Sequence, residues 1–332
     1  MALNQNVLVS DSFQQASRVA NDPSALINIY NTALTINPWL ENSTRIDAFS
    51  RVLQALDAQK IAVIMDNHVS KAQWCCNDTD GNGWWNTASG YTDANSRFFD
   101  TPNWLKGLAA IADFTKSHSN VVGMSLRNEL RASGGQDENN HADWYNFVSQ
   151  GADAVHNTNG DLLVIIGGPV SATDLSFLRF DPLSGASSSW AGKTVWEWHN
   201  YYWSWAVASS VCWVFDQIAG ERVGFLLEQN QAFTGPLWLS EFGAEQVLND
   251  PGNILGEAEQ KLEQAWLPCM VSYLESNDGD WALWSVGGSY YLREGSTSSD
   301  ESYGLLDPTW TDWRNSTFKN ALGNIFQMTQ TP

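Results

Sequence analysis

Two glutamates stand at the ends of apolar runs that have the length and composition of buried β-strands. Glu129 follows the run VVGMSLRN, and Glu241 ends the run PLWLSE. In an α/β barrel the carboxyl ends of the strands build the active site, so the two carboxylates are expected to converge at its mouth. Two carboxyl groups about 5–5.5 Å apart can cleave a glycosidic bond by double displacement. The sequence therefore predicts a retaining glycoside hydrolase.

A glutamate at a strand end is, taken alone, more often a helix cap or a surface residue. The neighbouring residues favour the catalytic interpretation. Asn128 precedes Glu129, and His199, Asn200 and Tyr201 end a strand that lies between the two glutamates in the sequence. Because these side chains are neutral hydrogen-bonding groups, they suit the hydroxyls of a sugar.

The strands that would position these residues alternate with amphipathic segments from residue 43 onward, which is typical of βα units. Strands are predicted at 61–67, 121–127, 162–167, 194–199, 236–241 and 281–286. Helices are predicted at 43–59, 103–118, 139–157, 209–232, 256–276 and 312–327, with shorter ones near 22–35 and 171–178. The rest of segment 1–42 reads as loop, as do 69–101 and 287–311.

This order of elements predicts the α/β class and a (β/α)8 TIM barrel. About six of the eight βα units are recognisable, so the barrel is expected to be incomplete, with its first two strands missing. We see no linker or internal repeat, and we expect a single catalytic domain over residues 1–332.

The bulk composition argues against several classes of partner. With 37 acidic and 17 basic residues, the formal net charge is −20, which would repel nucleic acid. No run approaches the roughly 20 apolar residues that cross a bilayer, so membrane insertion is not expected. The histidines and cysteines show no metal-site spacing, and neither a metal nor another cofactor is predicted. A monomer is the default expectation.

The chain has 18 tryptophans, and those on loops are candidates for stacking on pyranose rings. Residues 78–83 match the first half of a calcium-binding loop, but Ser89 stands where the final Glu should be. We favour a rigid turn that presents Trp84 and Trp85 to a sugar chain. Trp203, on another loop, is predicted to bind substrate as well. The alternative for each is a place in the core.

Cysteines and N-glycosylation sequons favour the secretory route, although no signal segment is recognisable at the start of the chain. The sequon asparagines are Asn42, Asn77 and Asn315. Cys75 and Cys76 are adjacent and cannot easily bond each other, so full oxidation would pair them with Cys212 and Cys269. Four free thiols are the alternative. An extracellular location is predicted.

Seven segments in order resemble glycoside hydrolase family 5, the cellulase family, and in particular its secreted endoglucanase-like members. They are IMDNHVS, WCCNDTDGNGWW, VVGMSLRNEL, WEWHNYYW, PLWLSEFG, WALWSVGGSYY and ESYGLLDPTW. The resemblance covers nearly everything from about residue 38 to residue 314. It implies that Glu129 is the acid/base and Glu241 the nucleophile in the hydrolysis of a β-linked polysaccharide.

The resemblance also implies roles for the residues around the two glutamates. Asn128 would bond the 2-hydroxyl of the cleaved sugar, and Tyr201 would hold the carboxylate of the nucleophile. His68 and His199 would line the same subsite, and Trp284 would be its stacking floor.

Two departures from the family pattern qualify what the resemblance implies. Leu130 stands where family members usually have proline, and the arginine at the end of the family's second strand is not found. The preferred function is an endo-β-1,4-glucanase-like glycosidase acting on β-glucan or a related polysaccharide. Because the first strands and their arginine are absent, the alternative is a sugar-binding pseudoenzyme.

Overall fold

The computed structural model describes residues 7–183, 189–205, 211–246 and 257–328. The chain divides into two compact units, each assembled from several segments. The first unit comprises 1–171, 183–195 and 291–297, and the second comprises 172–182, 196–290 and 298–332. The single catalytic domain expected from the sequence stays a prediction.

The first unit is built around parallel strands preceded and connected by helices. Its elements are α1 (Val9–Ser17), α2 (Pro23–Ile36), α3 (Arg45–Ala58), β1 (Val63–Met65), α4 (Asp93–Ser96), α5 (Thr101–Thr115), β2 (Val121–Ser125), α6 (Asn140–His156) and β3 (Leu163–Gly167). β2 pairs in parallel with both β1 and β3. Most residues of β2 and β3 are buried, as expected for parallel strands covered on both faces.

Local capping explains where two helices of the first unit begin. Thr44 and Asp47 form a reciprocal capping box at the start of α3, with Asp47 N donating to Thr44 Oγ1 at 3.2 Å. α5 begins after Asp100, whose Oδ1 accepts from Asn103 N at 2.8 Å. Pro102 fits the first turn of α5, because no intrahelical hydrogen bond is needed from that position.

The second unit repeats the same alternation of strand and helix. Its elements are β4 (Thr194–His199), α7 (Cys212–Arg222), β5 (Leu237–Phe242), α8 (Glu257–Asn277), β6 (Asp280–Leu283), β7 (Ser289–Arg293), β8 (Ser296–Asp300), α9 (Ser316–Ala321) and α10 (Gly323–Met328), with the ends of β4, β7 and β8 reaching into the first unit's ranges. β5 pairs in parallel with β4 and β6. Aromatic and aliphatic side chains fill the core, among them Trp198, Phe215, Leu239, Phe242, Trp266 and Met270.

All six predicted strands are present, but several other elements differ from the sequence-based expectation. The helix expected over 209–232 ends at Arg222. It is followed by the β-branched residue Val223 and by Gly224, and both residues have a low helix propensity. The helix expected over 312–327 is divided into α9 and α10, and 171–178 yields only a 3-10 turn at Ser176–Arg179. α1 was not predicted. β7 and β8 lie in the expected loop 287–311, where the polar sequence of β8 carries no apolar signal.

The expected cysteine pairing is wrong. Cys75 is bonded to Cys76, and Cys212, at the start of α7, is bonded to Cys269 in α8. α7 packs against α8, which places the Cα atoms of Cys212 and Cys269 4.7 Å apart, a separation that a disulfide spans. The two bonds therefore each lie within one unit.

Among the described residues, no helix combines the length and the apolar character that a membrane crossing requires.

Three buried glutamates of the second unit lie near one another. Glu245 follows β5, Glu263 lies in α8, and Glu301 follows β8. Glu245 N donates to Glu263 Oε1 at 3.1 Å, and Tyr303 OH donates to the same oxygen at 3.3 Å. Ser302 Oγ donates to Glu245 Oε2 at 2.8 Å. Burial raises the pKa of Glu263 to about 7 in spite of its hydrogen bonds, and it also raises the pKa of Glu245.

We expect Glu263→Gln to weaken the pH dependence of stability. Between the ordinary pKa of 4.5 and about 7, the folded state binds more protons at Glu263 than the unfolded chain does. The free energy of unfolding therefore falls as pH rises through this window, by at most roughly 1.4 kcal/mol for each step of one in pH. Glutamine keeps the acceptor oxygen without a charge, so the variant should be more stable than wild type at pH 8.

Urea unfolding between pH 5 and 8 measures this effect, with Glu221→Gln on the exposed face of α7 as the control. An identical fall in stability with pH for Glu263→Gln and wild type would contradict the assignment.

Candidate active site

The carboxyl ends of β1 and β2 bring together residues that were predicted to bind substrate. Asn128 N donates to Asn67 O at 3.2 Å, and Asn67 Nδ2 donates to Leu126 O at 3.2 Å, which ties the two strand ends. His68 follows directly, and its Nδ1 donates to Asp66 Oδ2 at 2.8 Å. Because Asp66 engages one ring nitrogen, the other, Nε2, is available to Asn128 Nδ2 at 3.5 Å.

Glu129 lies beside the disulfide of the first unit. The two sulfur atoms of Cys75 and Cys76 and a carboxylate oxygen of Glu129 all lie within 4.8 Å of one another. Asn128 Nδ2 lies 3.6 Å and 3.8 Å from these sulfur atoms. Sulfur is a weak acceptor, so the Asn128 amide keeps the capacity to donate to a sugar hydroxyl.

The backbone of Glu129 has a φ of +41°, in the left-handed region that side chains rarely adopt. Arg131 holds this conformation, because its Nη1 donates to Glu129 O at 2.8 Å. The same guanidinium pairs with Asp80 Oδ2 through Nη2 at 2.5 Å and donates from Nε to Asn77 O at 3.2 Å. Arg131 and Asp80 are both buried, so one ion pair connects the backbone of Glu129 to the loop that follows β1.

A second buried arginine supports the same loop. Arg127 is only 1% exposed, and it donates from Nη2 to Asn82 O at 2.6 Å and from Nη1 to Ser70 Oγ at 3.1 Å. Its guanidinium lies 4.1 Å from the centre of the Phe99 ring. Burial, and next the charge of Arg131, lower the pKa of Arg127 to about 9. A guanidinium with that pKa still carries its charge at neutral pH.

Residues 78–83 form a turn that is held by side-chain hydrogen bonds. Asp80 Oδ1 accepts from Asn82 N at 2.7 Å, and Asn82 Oδ1 accepts from Ser70 N at 3.0 Å. The other carboxylate oxygen of Asp80 pairs with Arg131. An internal cation thus engages the carboxylate that the sequence pattern would offer to calcium.

The prediction that Trp84 and Trp85 bind sugar is wrong. Both side chains are completely buried, and Trp85 stacks on Phe147 of α6 with 5.0 Å between ring centres. The chain reaches this position through Gly83, where an added Cβ would lie 2.2 Å from Asn95 Oδ1. Because the turn is packed so closely, both indoles face the core instead of a cleft.

In the second unit, residues at the end of β4 contact the candidate nucleophile, Glu241. Glu241 lies in β5, and its Oε1 accepts from Tyr201 OH at 2.7 Å. Its Oε2 lies 3.8 Å from His199 Nδ1, and its backbone oxygen accepts from Asn200 N at 3.1 Å. A hydroxyl that donates to a carboxylate favours the ionised form, which is the form that can attack an anomeric carbon.

Asn200 fixes the turn that carries these partners. Its Oδ1 accepts from the indole Nε1 of Trp266 in α8 at 2.7 Å, and both residues are buried. In the same turn, Tyr201 N donates to Ser204 Oγ at 2.9 Å. Asn200 was expected only as a polar neighbour of the site, and the structure shows it anchoring the end of β4 to α8.

Trp203 and Trp284 both keep exposed area in the second unit. Trp203 is 53% exposed and stacks in parallel on Tyr201, with 4.5 Å between ring centres and 5° between planes. Trp284 is half-buried, and its N donates to Phe242 O at 2.8 Å. Gly243 makes this approach possible, since an added Cβ would lie 2.2 Å from Trp284 O.

Asp80, Arg127 and Arg131, which fix the site, were not predicted from the sequence. The signal was present in the segment LRNELR, where two charged residues flank Asn128 and Glu129 inside an otherwise apolar strand end. Charged side chains are rarely buried unless they are paired. The predicted burial of the strand at 121–127 therefore required partners for Arg127, although it indicated nothing about Arg131 or Asp80.

Proteins with similar sequences include a glycosyl hydrolase and an endoglucanase. The family model described as cellulase (glycosyl hydrolase family 5) matches residues 18–289. A glycosyl hydrolase 5 family protein of Chamaecyparis obtusa is 35% identical over 304 residues, which are 89% of this chain and 50% of that protein. An endoglucanase of Paenibacillus polymyxa is 22% identical over 309 residues, 88% of this chain and 67% of that protein. The chain thus spans about half the length of the Chamaecyparis relative.

Solved structures of similar fold include an endocellulase and an endoglucanase. The hyperthermophilic endocellulase of Pyrococcus horikoshii has a TM-score of 0.65 at 14% identity, covering 90% of this chain and 77% of its own. The catalytic domain of the major endoglucanase of Xanthomonas campestris pv. campestris has a TM-score of 0.61 at 19% identity, covering 84% and 73%. These likenesses confirm the expected fold class, an α/β protein of the (β/α)8 type with six of its strands recognisable.

We expect Arg131 and Asp80 to be strongly coupled in their effect on stability. Arg131→Met leaves the Asp80 carboxylate buried without its cation, which costs about 3–5 kcal/mol. In Arg131→Met/Asp80→Asn the stranded charge is gone, so the loss should be clearly smaller than the sum of the two single losses. Urea unfolding of the four proteins measures the difference.

The exposed pair Lys116–Asp113 of the same unit provides the matched control. Its own cycle, Lys116→Met and Asp113→Asn, should show a coupling of at most about 1 kcal/mol. Additive losses at Arg131 and Asp80 would contradict the role assigned to the buried pair.

Proposed function

The chain belongs to the cellulase family, glycosyl hydrolase family 5, and from this premise we propose that it is a retaining glycoside hydrolase of the endo-β-1,4-glucanase type. Glu241 attacks the anomeric carbon and forms a glycosyl-enzyme intermediate, while Glu129 donates a proton to the leaving oxygen. Water then hydrolyses the intermediate, with Glu129 acting as base.

The observation that carries the proposal is the hydrogen bond of 2.7 Å from Tyr201 OH to Glu241 Oε1. A nucleophilic carboxylate must be ionised and must point one oxygen at the sugar. The phenol satisfies both needs, because it favours the ionised form and fixes the rotation of the carboxylate. His199 lies 3.8 Å from the other oxygen and is almost fully buried.

The environment of Glu129 supports its role as the proton donor. Asn128, directly before it, holds an amide whose contacts in the structure are long. We assign that amide to the 2-hydroxyl of the cleaved sugar, an interaction that strengthens in the transition state. The hydrogen bond from Arg131 Nη1 to Glu129 O fixes the backbone of Glu129, so its carboxyl group reaches the leaving oxygen from a defined position.

The proposed substrate is a β-linked glucan cleaved within the polymer. The Paenibacillus relative is an endoglucanase, and one solved endocellulase of similar fold, from Pyrococcus horikoshii, is a complex with cellotetraose, with a TM-score of 0.64. Trp203 and Trp284 offer apolar ring faces of the kind that stack on pyranose rings. No cofactor takes part in the proposed reaction.

We further propose that the protein works outside the cell as a monomer. The disulfide between Cys212 and Cys269 supports this location, because such bonds persist in oxidising compartments. The sequon asparagines Asn42 and Asn77 are exposed, as glycosylation would require.

The roles of Glu129 and Glu241 can be distinguished by the activity of their variants on substrates whose leaving groups differ in acidity. Glu241→Gln should abolish hydrolysis of every β-glucan substrate, by roughly 10⁴-fold or more, since no covalent intermediate forms. Glu129→Ala should lose a similar factor on cello-oligosaccharides but far less on an aryl cellobioside with an acidic phenol, which departs without a proton. Steady-state kinetics on both substrates measures the difference.

Proton NMR of the first sugar product should show the β-anomer, as retention requires. The α-anomer, or full activity in Glu241→Gln, would overturn the mechanism. Binding of cello-oligosaccharides by the wild-type chain without any hydrolysis would support the alternative of a sugar-binding pseudoenzyme. The exposed variant Glu221→Gln serves as the control for expression and folding.

Tyr201→Phe should shift the acidic limb of the pH–rate profile to higher pH. Without the phenol, the Glu241 carboxylate loses a hydrogen bond that favours its ionised form. The fraction of active nucleophile therefore falls sooner as the solution is acidified. The profile of kcat/KM on an aryl cellobioside measures the shift, and Tyr202→Phe is the matched control. An acidic limb that stays in place would contradict the role of Tyr201.

A further inference from the structure

The disulfide between Cys75 and Cys76 lies at the proposed acid/base and has no role in the reaction described above. We propose that its two bonded sulfur atoms form a sugar-binding surface, against which the ring bound by Asn128 packs. This inference rests on the proposed function and adds to it a specific contact for the cleaved sugar.

The position of the sulfur atoms is the first support. They lie within 4.8 Å of a carboxylate oxygen of Glu129 and of each other, and both cysteines are half-buried, so part of each remains accessible. A sugar whose glycosidic oxygen reaches the Glu129 carboxyl comes within contact distance of these atoms, because apolar contacts extend to about 4–4.5 Å.

Asn128 identifies which ring touches the sulfur atoms. Its Nδ2 lies 3.6 Å from Cys75 Sγ and 3.8 Å from Cys76 Sγ. If that amide holds the 2-hydroxyl of the cleaved sugar, the sulfur pair lies against the same sugar. The sulfur atoms would therefore contact the sugar that stays covalently attached to Glu241 after the first step.

The chemistry of the pair complements its neighbours. Asn128, His68 and Glu129 offer hydrogen bonds to hydroxyls, but a pyranose also has C–H groups that need an apolar contact. Disulfide sulfur is polarizable and a poor hydrogen-bond acceptor, which suits it to this contact. The bond joins the two sulfur atoms into one continuous surface, whereas two free thiols rotate independently and gain their own S–H groups.

The loop on both sides of the pair is fixed. Gln73 Nε2 donates to Asp80 O at 2.7 Å before the cysteines, and Asn77 N donates to Asp80 Oδ2 at 3.2 Å after them. Asn77 O in turn accepts from Arg131 Nε at 3.2 Å. A contact surface held in this way loses little conformational entropy when a sugar binds.

The test uses Cys75→Ser/Cys76→Ser, which keeps the approximate size of both side chains and removes the bond. On an aryl β-cellobioside, which places sugars only on the retained side, we expect kcat/KM to fall about 10-fold, mainly through KM. Circular dichroism and the midpoint of thermal unfolding check that the variant is folded. A loss confined to cellotetraose, with the aryl cellobioside unaffected, would overturn the assignment to the retained sugar.

Reversible reduction provides a second measurement that does not depend on the folding of Cys75→Ser/Cys76→Ser. The variant Cys212→Ser/Cys269→Ser lacks the disulfide between α7 and α8 and keeps the one between Cys75 and Cys76. A phosphine reductant should raise KM about 10-fold, and reoxidation should restore it. When Cys75→Ser and Cys76→Ser are added to this same background, the protein should not respond to the reductant.

The possible failures are distinguishable. Hydrolysis by wild type, with kcat/KM unchanged after both replacement and reduction, would overturn the sugar contact and leave the proposed function intact. A wild-type chain that hydrolyses no β-glycan would overturn the proposed function and the sugar contact with it.

Discussion

The buried ion pair between Arg131 and Asp80 is the interaction on which the arrangement of the first unit's candidate residues depends. One guanidinium holds the backbone oxygens of Glu129 and Asn77 while its charge is neutralised by Asp80. The acid/base candidate and the loop with the vicinal disulfide are thereby fixed by the same group. Removing water from two charges is expensive, and the geometry compensates because each of the three guanidinium nitrogens of Arg131 donates to an oxygen.

A comparable arrangement of contacts positions the nucleophile candidate. Tyr201 and His199 contact the carboxylate of Glu241, and Asn200 is tied to Trp266 behind them. The hydrogen bond from Tyr201 fixes the rotation of the carboxylate, and the link from Asn200 to Trp266 fixes the turn that carries Tyr201.

The strands were predictable because each is an apolar run of the length that a buried parallel strand requires, and Glu129 and Glu241 stand at their ends. The residues that orient them were not predictable to the same degree. Asp80 and Arg131 are 51 positions apart, and only the folded loop shows that they pair. Trp84 and Trp85 follow a turn, which suggested exposure, but the tight passage at Gly83 turns both rings inward. Adjacent cysteines were assumed to seek distant partners, whereas α7 and α8 bring Cys212 and Cys269 together and leave the other two to bond each other.

The bond between Cys212 and Cys269 spans 57 positions of sequence and encloses β5, with Glu241, in a covalent ring. A single cut by a protease anywhere inside that ring would leave both new ends attached to the same molecule. The strand that carries the nucleophile candidate would then stay with its partners and re-form without having to find them by diffusion. This ring therefore gives tolerance to proteolytic nicking at the segment that carries the nucleophile candidate.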